Sequence, residues 1–200
     1  GGAVTDVSIP GAINGLPVTS IGHSAFFGCG GLTRVTIPDS VISIGDNAFW
    51  GCGGLTTVTI PKSVTSIGTG AFSYCFKLTK VTLPVSVTSL GDNPFIGCAS
   101  AIFVDAANPA YSSSEDGVLY NKDKTCLVAF PGGKSGSYQI PDGVSMIGNS
   151  AFYACQNLTI VTIPESVGKI GGYAFRDCGS LMGIFFNGDT PWVGNDVFQD

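Results

Sequence analysis

Seven cysteines stand in a chain of 200 residues, and six of them share one place in a recurring pattern. Cys29, Cys52, Cys75 and Cys98 follow one another at steps of 23 residues, and Cys155 and Cys178 are again 23 apart. Thiols at this density would serve disulfide bonding, metal ligation or nucleophilic catalysis. Their spacing argues against all three. Each of the six stands three residues after a phenylalanine, in the order Phe26, Phe49, Phe72, Phe95, Phe152 and Phe175. A thiol recurring beside an interior aromatic reads as core, since unpaired Cys is among the most buried residue types. Identical turns stacked on one another hold their Cβ vectors parallel, which aims the thiols poorly for bridging. No C-x-x-C pair exists to open a zinc site. The single histidine, His23, follows Gly22 in a turn-forming position, and with no second histidine any Ser-His or Cys-His arrangement would have to use His23 itself. Cys126 stands outside the pattern and is expected to pack within a hairpin.

Paired carboxylates are the other source of chemistry, because two acids facing a glycosidic bond make a glycosidase. Asp39, Asp46, Asp92, Asp105, Glu115, Asp116, Asp142, Glu165 and Asp177 mostly fall in turns, where short acids cap and solubilise, and they do not converge on one face. Gly28-Cys29-Gly30-Gly31 and Gly68-Thr69-Gly70 lack a Walker lysine and a dinucleotide-binding context. The sequon Asn157-Leu158-Thr159 is a three-residue match of the kind that chance supplies. No catalytic, cofactor-binding or metal-ligating residue is therefore assigned, no cofactor is expected, and the chain reads as a protein that is not an enzyme. A net charge of −5 with nine scattered Lys and Arg gives no basic stripe for nucleic acid. No run of 18 apolar residues exists to insert into a membrane.

What positions these residues is an internal repeat. Leu32-Thr33-Arg34-Val35-Thr36-Ile37-Pro38 recurs at Leu55 to Pro61, Leu78 to Pro84 and Leu158 to Pro164, with Ile9-Pro10 and Ile140-Pro141 marking further copies. A second block, Ile-Gly-x-x-Ala-Phe-x-x-Cys, follows, placing glycines at 22, 45, 68, 91, 148, 171 and 194, each four residues before a phenylalanine. A fixed period of this length is the mark of a solenoid. Val35 and Ile37 alternate with Arg34 and Thr36 at the period of a half-buried strand. The proline after it has no N–H to donate and ends the ladder. Val41 and Ile44, with Val64 and Ile67, Val87 and Leu90, and Val167 and Ile170, return apolar groups from the opposite wall. The glycine that follows either takes a positive φ or lets coils approach closely. The Asp46-Asn47 type of pair before Ala48-Phe49 would cap a single helical or 3₁₀ turn.

The fold class expected is an α/β solenoid, mostly β, with one short parallel strand per 23-residue coil and short strands or 3₁₀/helical turns on the convex side. One domain covers 1–200, with regular repeats at about 3–98 and 135–200 and an irregular stretch at 99–134. Pro84 and Pro141 are 57 residues apart, against 46 for two regular units. In the irregular stretch Val118-Leu119-Tyr120-Asn121 and Cys126-Leu127-Val128-Ala129-Phe130 flank Lys122-Asp123-Lys124-Thr125, which predicts an inserted β-hairpin projecting from the solenoid edge. Pro94 in place of Ala, and a last unit, Trp192 to Phe198, with no cysteine, are the departures from pattern.

With L-x-x-V-x-I-P followed by V-x-x-I-G-x-x-A-F-x-x-C, the chain resembles the BspA-type leucine-rich repeat family over nearly its whole length. Asn108-Pro109-Ala110-Tyr111-Ser112 and Asp116-Gly117-Val118-Leu119-Tyr120 resemble that family's irregular repeats. The resemblance implies a leucine-rich-repeat right-handed superhelix, and a bacterial cell-surface protein that adheres to or interacts with host extracellular-matrix or surface proteins. A start at Gly1-Gly2 with no signal peptide is what a trimmed chain would show, so an extracellular or cell-surface location with the leader removed is the expectation.

The repeating residues serve the interior, which leaves the outward strand positions for recognition: Arg34, Thr36, Thr57, Thr59, Lys80, Thr82, Ile160, Thr162 and Phe185. They predict one protein-binding face, a threonine ladder flanked by two cations with an apolar patch toward the C-terminal end, joined by Tyr111 and Tyr120 if the insert contributes. A structural spacer and a carbohydrate-binding solenoid are the alternatives. Carbohydrate recognition favours exposed aromatic rings in a row, whereas these phenylalanines fall in the core register.

Overall fold

The computed structural model describes residues 5–199. Gly1, Gly2 and Asp200, on which the reading of the two chain ends rests, lie outside the described residues. The chain winds as a mostly-β solenoid of about eight turns with coils of about 23 residues, and no helix forms among the described residues.

Three sides make each coil. The first carries the predicted parallel strands: Asp6–Ser8, Arg34–Thr36 and Thr57–Val58 form one run, Lys80–Leu83 and Ala101–Val104 the next, and Gly136–Gln139, Leu158–Ile163 and Gly183–Phe186 a third. Val35, Ile37, Val58, Ile60, Val81 and Leu83 point inward and are buried, as their alternation requires. After each proline a tight turn closes, with the N–H of Val41, Val64, Val87 and Val167 donating to the carbonyl of the proline three residues earlier. The second side is a two-residue parallel strand per coil, Ser20–Ile21, Ser43–Ile44, Ser66–Ile67 and Ser89–Leu90 stacking in sequence. The strand alternative for this wall is the one realised.

The helical alternative for the Ala-Phe segment is not taken. The N–H groups of Asn47, Phe49 and Gly51 donate to the carbonyls of Thr69, Ala71 and Ser73 in the next coil at 2.7 to 2.8 Å, while those of Ala48, Trp50 and Cys52 turn back three residues within their own coil. A neighbouring coil thus claims every second donor, and an α-helix would need all of them for itself. The pattern requires left-handed backbone at Asn47 (φ 53°) and Gly51 (φ 72°). It also explains why Pro94 replaces Ala without loss: Phe72 N–H still reaches the Pro94 carbonyl at 2.8 Å, and the missing N–H is one that elsewhere serves only a local turn.

Of the two readings of the glycine after each isoleucine, close approach holds. None of these seven glycines has positive φ. A Cβ built on Gly45, Gly171 or Gly194 would sit 2.9, 2.5 and 2.5 Å from backbone atoms of the preceding coil. The phenylalanines form a spine in two runs, Phe26, Phe49, Phe72 and Phe95 at 5.0, 5.1 and 5.9 Å, then Phe130, Phe152, Phe175 and Phe198 at 4.8, 4.8 and 5.9 Å, with the first pair of the second run tilted and Phe198 exposed at its end.

The predicted hairpin forms, with Leu119–Asn121 antiparallel to Cys126–Ala129, but it does not project. A third antiparallel strand, Tyr111–Ser113, precedes it, and the meander is built into the second side, where Cys126–Ala129 pairs in parallel with Met146–Ile147. Val118, Leu119 and Tyr120 are all buried, an uninterrupted apolar run that fits a strand covered on both faces. Asn108 anchors its start: fully buried, it donates to the Pro84 and Val87 carbonyls at 2.8 Å and accepts from the Ala110 and Tyr111 N–H groups at 2.9 Å. Near its middle, Lys134 and Ser114 hold the Asp116 carboxyl below its usual range although its partial burial pulls the other way.

Candidate functional site

The outward strand positions form two panels. In the first, Arg34 pairs with Thr57, and the strand carrying Lys80 and Thr82 lies beside them. Arg34, Thr36, Thr57, Thr59, Lys80 and Thr82 are all exposed, with Thr59 just past the end of its short strand. In the second, Ile160 pairs with Gly183 and Thr162 with Phe185; Ile160 and Thr162 are half-buried and Phe185 is exposed. The single continuous face expected from the sequence is not what forms. The free edge of Ala101–Val104 is taken by the meander, with Ile102 N–H donating to the Gly117 carbonyl at 2.9 Å and Val104 N–H to Ser113 Oγ at 3.1 Å. The strand Gly136–Gln139 therefore pairs only with Leu158–Ile163. Tyr120 is buried, its hydroxyl bonded to that of Tyr138 at 2.8 Å, and the Tyr111 hydroxyl is bound to Leu90 N–H at 3.0 Å, so neither tyrosine joins a face.

One residue that the motif reasoning passed over, Phe103, belongs to these panels, and Gly183, an outward position beside Phe185, shapes the second. Phe103, opposite Thr82, holds Lys80 Nζ 5.0 Å from its ring centroid, steadying the ammonium over an aromatic face. Gly183 leaves room for Phe185 to lie across the sheet, since a Cβ there would meet the ring at 3.3 Å. Phe103 lay hidden in the irregular stretch, and only the alternation of Ala101-Ile102-Phe103-Val104 signals it.

The thiols behave as a structural ladder. Cys52, Cys75, Cys98 and Cys178 each donate Sγ–H to the carbonyl of the spine phenylalanine one coil earlier, at 3.1, 3.2, 2.9 and 2.9 Å. Burial, reinforced by Cys29 nearby, pushes the Cys52 thiol up to about 11. The Cys75 thiol is raised by its hydrogen bond to Cys98 and then by burial, and Cys155 likewise by Cys178 and burial. Since the thiolate is the nucleophile, these groups are kept unreactive. Maleimide at neutral pH is expected to label exposed Cys29 rapidly while sparing Cys52, Cys75 and Cys155 until the chain is unfolded, as read by mass spectrometry. A thiol pKa raised on folding adds stability that is complete below its ordinary value of 9 and is lost as pH climbs through the folded value. Thermal stability should accordingly hold from neutrality to about pH 9 and fall between there and 11.

A row of rings, Phe27 and Phe76 exposed and Trp50 and Tyr74 half-buried, also runs along the third side. Phe27 stacks on Trp50 at 4.5 Å, Trp50 meets Tyr74 edge-on at 5.1 Å, and Tyr74 meets Phe76 at 5.9 Å. The motif phenylalanines Phe49, Phe72, Phe95, Phe152 and Phe175 do lie in the core register, but these further rings stand outside it. Phe27 and Trp50 immediately follow spine residues and so point the other way, a signal that was present in Phe26-Phe27 and Phe49-Trp50.

Stacked coils with two parallel strands and a turn ladder each, an apolar interior and variable outward strand positions define a leucine-rich-repeat solenoid. The model of the BspA type leucine rich repeat region matches in six copies over residues 4–115 and 128–200, and the chain belongs to this family. The unmatched residues 116–127 fall within the meander. No curated protein sequence matches the chain. Among solved structures it is similar to the pneumococcal vaccine antigen PcpA (28% identity, TM-score 0.71), covering 92% of this chain and 51% of that one. A leucine-rich repeat protein from Eubacterium ventriosum is similar at 25% identity and TM-score 0.70, covering 98% and 63%. A leucine rich cell surface protein from Faecalibacterium prausnitzii is similar at 28% identity and TM-score 0.56, covering 92% and 70%. The chain thus spans about half the length of the pneumococcal antigen and under two-thirds of the Eubacterium protein. Solenoids of this class are in general non-catalytic scaffolds for protein interaction. No helix among the described residues is long and apolar enough to cross a membrane.

Proposed function

We propose that the chain is an extracellular, surface-displayed protein-binding module without catalytic activity, and that a host matrix or surface protein docks on its outward strand panels. The observation that carries this is the contrast between inside and outside within one chain. Interior positions repeat almost unchanged from coil to coil, while one outward row reads Arg34, Thr57, Lys80 and Ala101 and its counterpart beyond the meander reads Ser137, Ile160 and Gly183. A spacer needs only solubility outside, and an exposed Phe185 beside Ile160 works against that need. The cationic panel suits an acidic protein surface, and the apolar panel offers a ring for burial. The two act within one domain, because the meander joins both halves of the core: Leu119 packs in one hydrophobic cluster, Val118 and Tyr120 in the other. The names of the pneumococcal and Faecalibacterium relatives support display at a surface.

The test is saturable binding of the purified chain to an array of matrix proteins, repeated with Arg34→Ala/Lys80→Ala and with Ile160→Ala/Phe185→Ala. A tight binder should lose about tenfold or more in affinity when a panel it uses is removed. Absence of binding, or binding indifferent to both variants, would favour a spacer.

A further inference from the structure

The insert also opens a cleft on the third side. There the coils at 97–99 and 132–133 present only Gly97, Ala99, Gly132 and Gly133, so the wall drops to a nearly bare backbone between taller neighbours. The depression measures about 560 Å³. On one rim stand Tyr74 and Phe76; on the other stand Gln156, Asn157 and Asp177. Tyr74 and Tyr153 reach toward each other from the two rims, their hydroxyls 3.5 Å apart, and the Asp177 carboxylate faces the same Tyr153 hydroxyl.

Tyr74 carries the strongest argument. It sits at φ 59°, at the place in the coil where Gly28, Gly51 and Gly97 take φ values of 71°, 72° and 66° and the small Ala154 and short Asp177 take 57° and 55°. A bulky residue in left-handed backbone is strained, and such strain gathers at ligand sites. Tyr74 is the bulkiest side chain at that place in the coil, and its ring lines the cleft. Phe76 beside it is 62% exposed. The rings of Trp50 and Phe27 continue the same surface away from the cleft.

We propose that this cleft and the ring row leading into it form a glycan-binding site for a neutral oligosaccharide, separate from the strand panels. A sugar offers an apolar C–H face for Tyr74 and Phe76 together with hydroxyl edges for Gln156, Asn157 and Asp177. An extended peptide fits less well, because strand addition needs unpaired backbone groups. At the cleft itself the N–H groups of Tyr74, Cys98, Gly132 and Ala154 are already taken by the carbonyls of Ile96, Phe95, Cys98 and Arg176. A phosphorylated or sulfated ligand is disfavoured, because the one charged side chain of the lining is Asp177.

The experiment is a neutral-glycan array of glucose, xylose, mannose and N-acetylglucosamine oligomers, followed by calorimetry on any hit with the intact chain, Tyr74→Gly, Phe76→Ala and the strand variant Arg34→Ala/Phe185→Ala. Tyr74→Gly restores the residue its backbone favours, so it should unfold at the same temperature as the parent or higher while weakening glycan binding at least about tenfold. Phe76→Ala should weaken binding as well, and the strand variant should bind glycan like the parent. No neutral glycan bound, binding indifferent to Tyr74→Gly, or a lowered unfolding temperature in that variant would each overturn the proposal. A protein partner lost only in the strand variant would leave the panel reading intact whichever way the glycan result falls.

Discussion

Replacing Phe72 with alanine is expected to lower folding stability by about 3 to 5 kcal/mol. Phe72 is fully buried in the middle of the first spine run, 5.1 Å from Phe49 and 5.9 Å from Phe95. Its neighbours have little freedom to collapse into the gap, because their backbones are tied on both sides: Phe49 N–H to the Ala71 carbonyl at 2.7 Å and Cys98 N–H to the Phe95 carbonyl at 3.2 Å. The Phe72 carbonyl also accepts the Cys98 thiol at 2.9 Å, so movement there disturbs a second interior row. Urea unfolding followed by circular dichroism measures the loss. Thr59→Ala, on an exposed position of the first panel, is the matched control and should shift stability by less than about 0.5 kcal/mol. Equal tolerance at the two sites would mean that the coil register is misplaced.

The glycine position should give opposite signs in two coils. In Gly171→Ala the new methyl would stand 2.5 Å from the Asn149 backbone nitrogen and 2.7 Å from the Gly148 carbonyl carbon. Backbone cannot swing aside as a flexible side chain would, so two coils must separate, at a cost of about 2 to 3 kcal/mol. Gly22 occupies the same motif position, yet a Cβ there meets nothing within 4 Å and its φ is not positive. Gly22→Ala should therefore be neutral or stabilising by up to about 1 kcal/mol, through the narrower unfolded ensemble. Thermal unfolding of the pair reads both, and a loss at Gly22 as large as at Gly171 would remove close coil approach as the reason for the motif.

The coil was legible because each motif residue has one interior task. Val35, Ile44, Phe49 and Cys52 recur at fixed spacing and are all buried, while Cys29 and Phe198, their equivalents in end coils, are exposed. What escaped the sequence follows from tertiary context. Val118-Leu119-Tyr120 marks a strand, but only packing on both faces shows that the hairpin lies within the wall and not outside it. The split of the outward face depends on Gly117 and Ser113 satisfying the edge of Ala101–Val104, contacts between segments with no shared motif. Near the start, the interval from Pro10 to Pro38 exceeds a regular coil, and the surplus forms a small hairpin, Ala12–Ile13 with Leu16–Pro17, around Asn14-Gly15 at φ 51° and 79°. That dipeptide is a turn signal that the dominant repeat obscured. Of the nine outward residues expected on one face, all lie on the strand wall or at its edge, in two groups. The ring row and the glycine-floored cleft were missed because their residues occupy positions where the motif has no preference.

A protein partner is expected to meet the strand panels. Hydroxyl-radical footprinting of the chain, alone and saturated with the matrix protein it binds most tightly, tests this by reading side-chain oxidation residue by residue. Protection centred on Phe185 and Ile160 or on Phe103 and its neighbours in the first panel, with Trp50 and Tyr173 oxidised as before, is the expected result. Protection confined to Phe27, Trp50 and Phe76, with Phe103 and Phe185 unchanged, would contradict the claim and move the protein interface to the turn side.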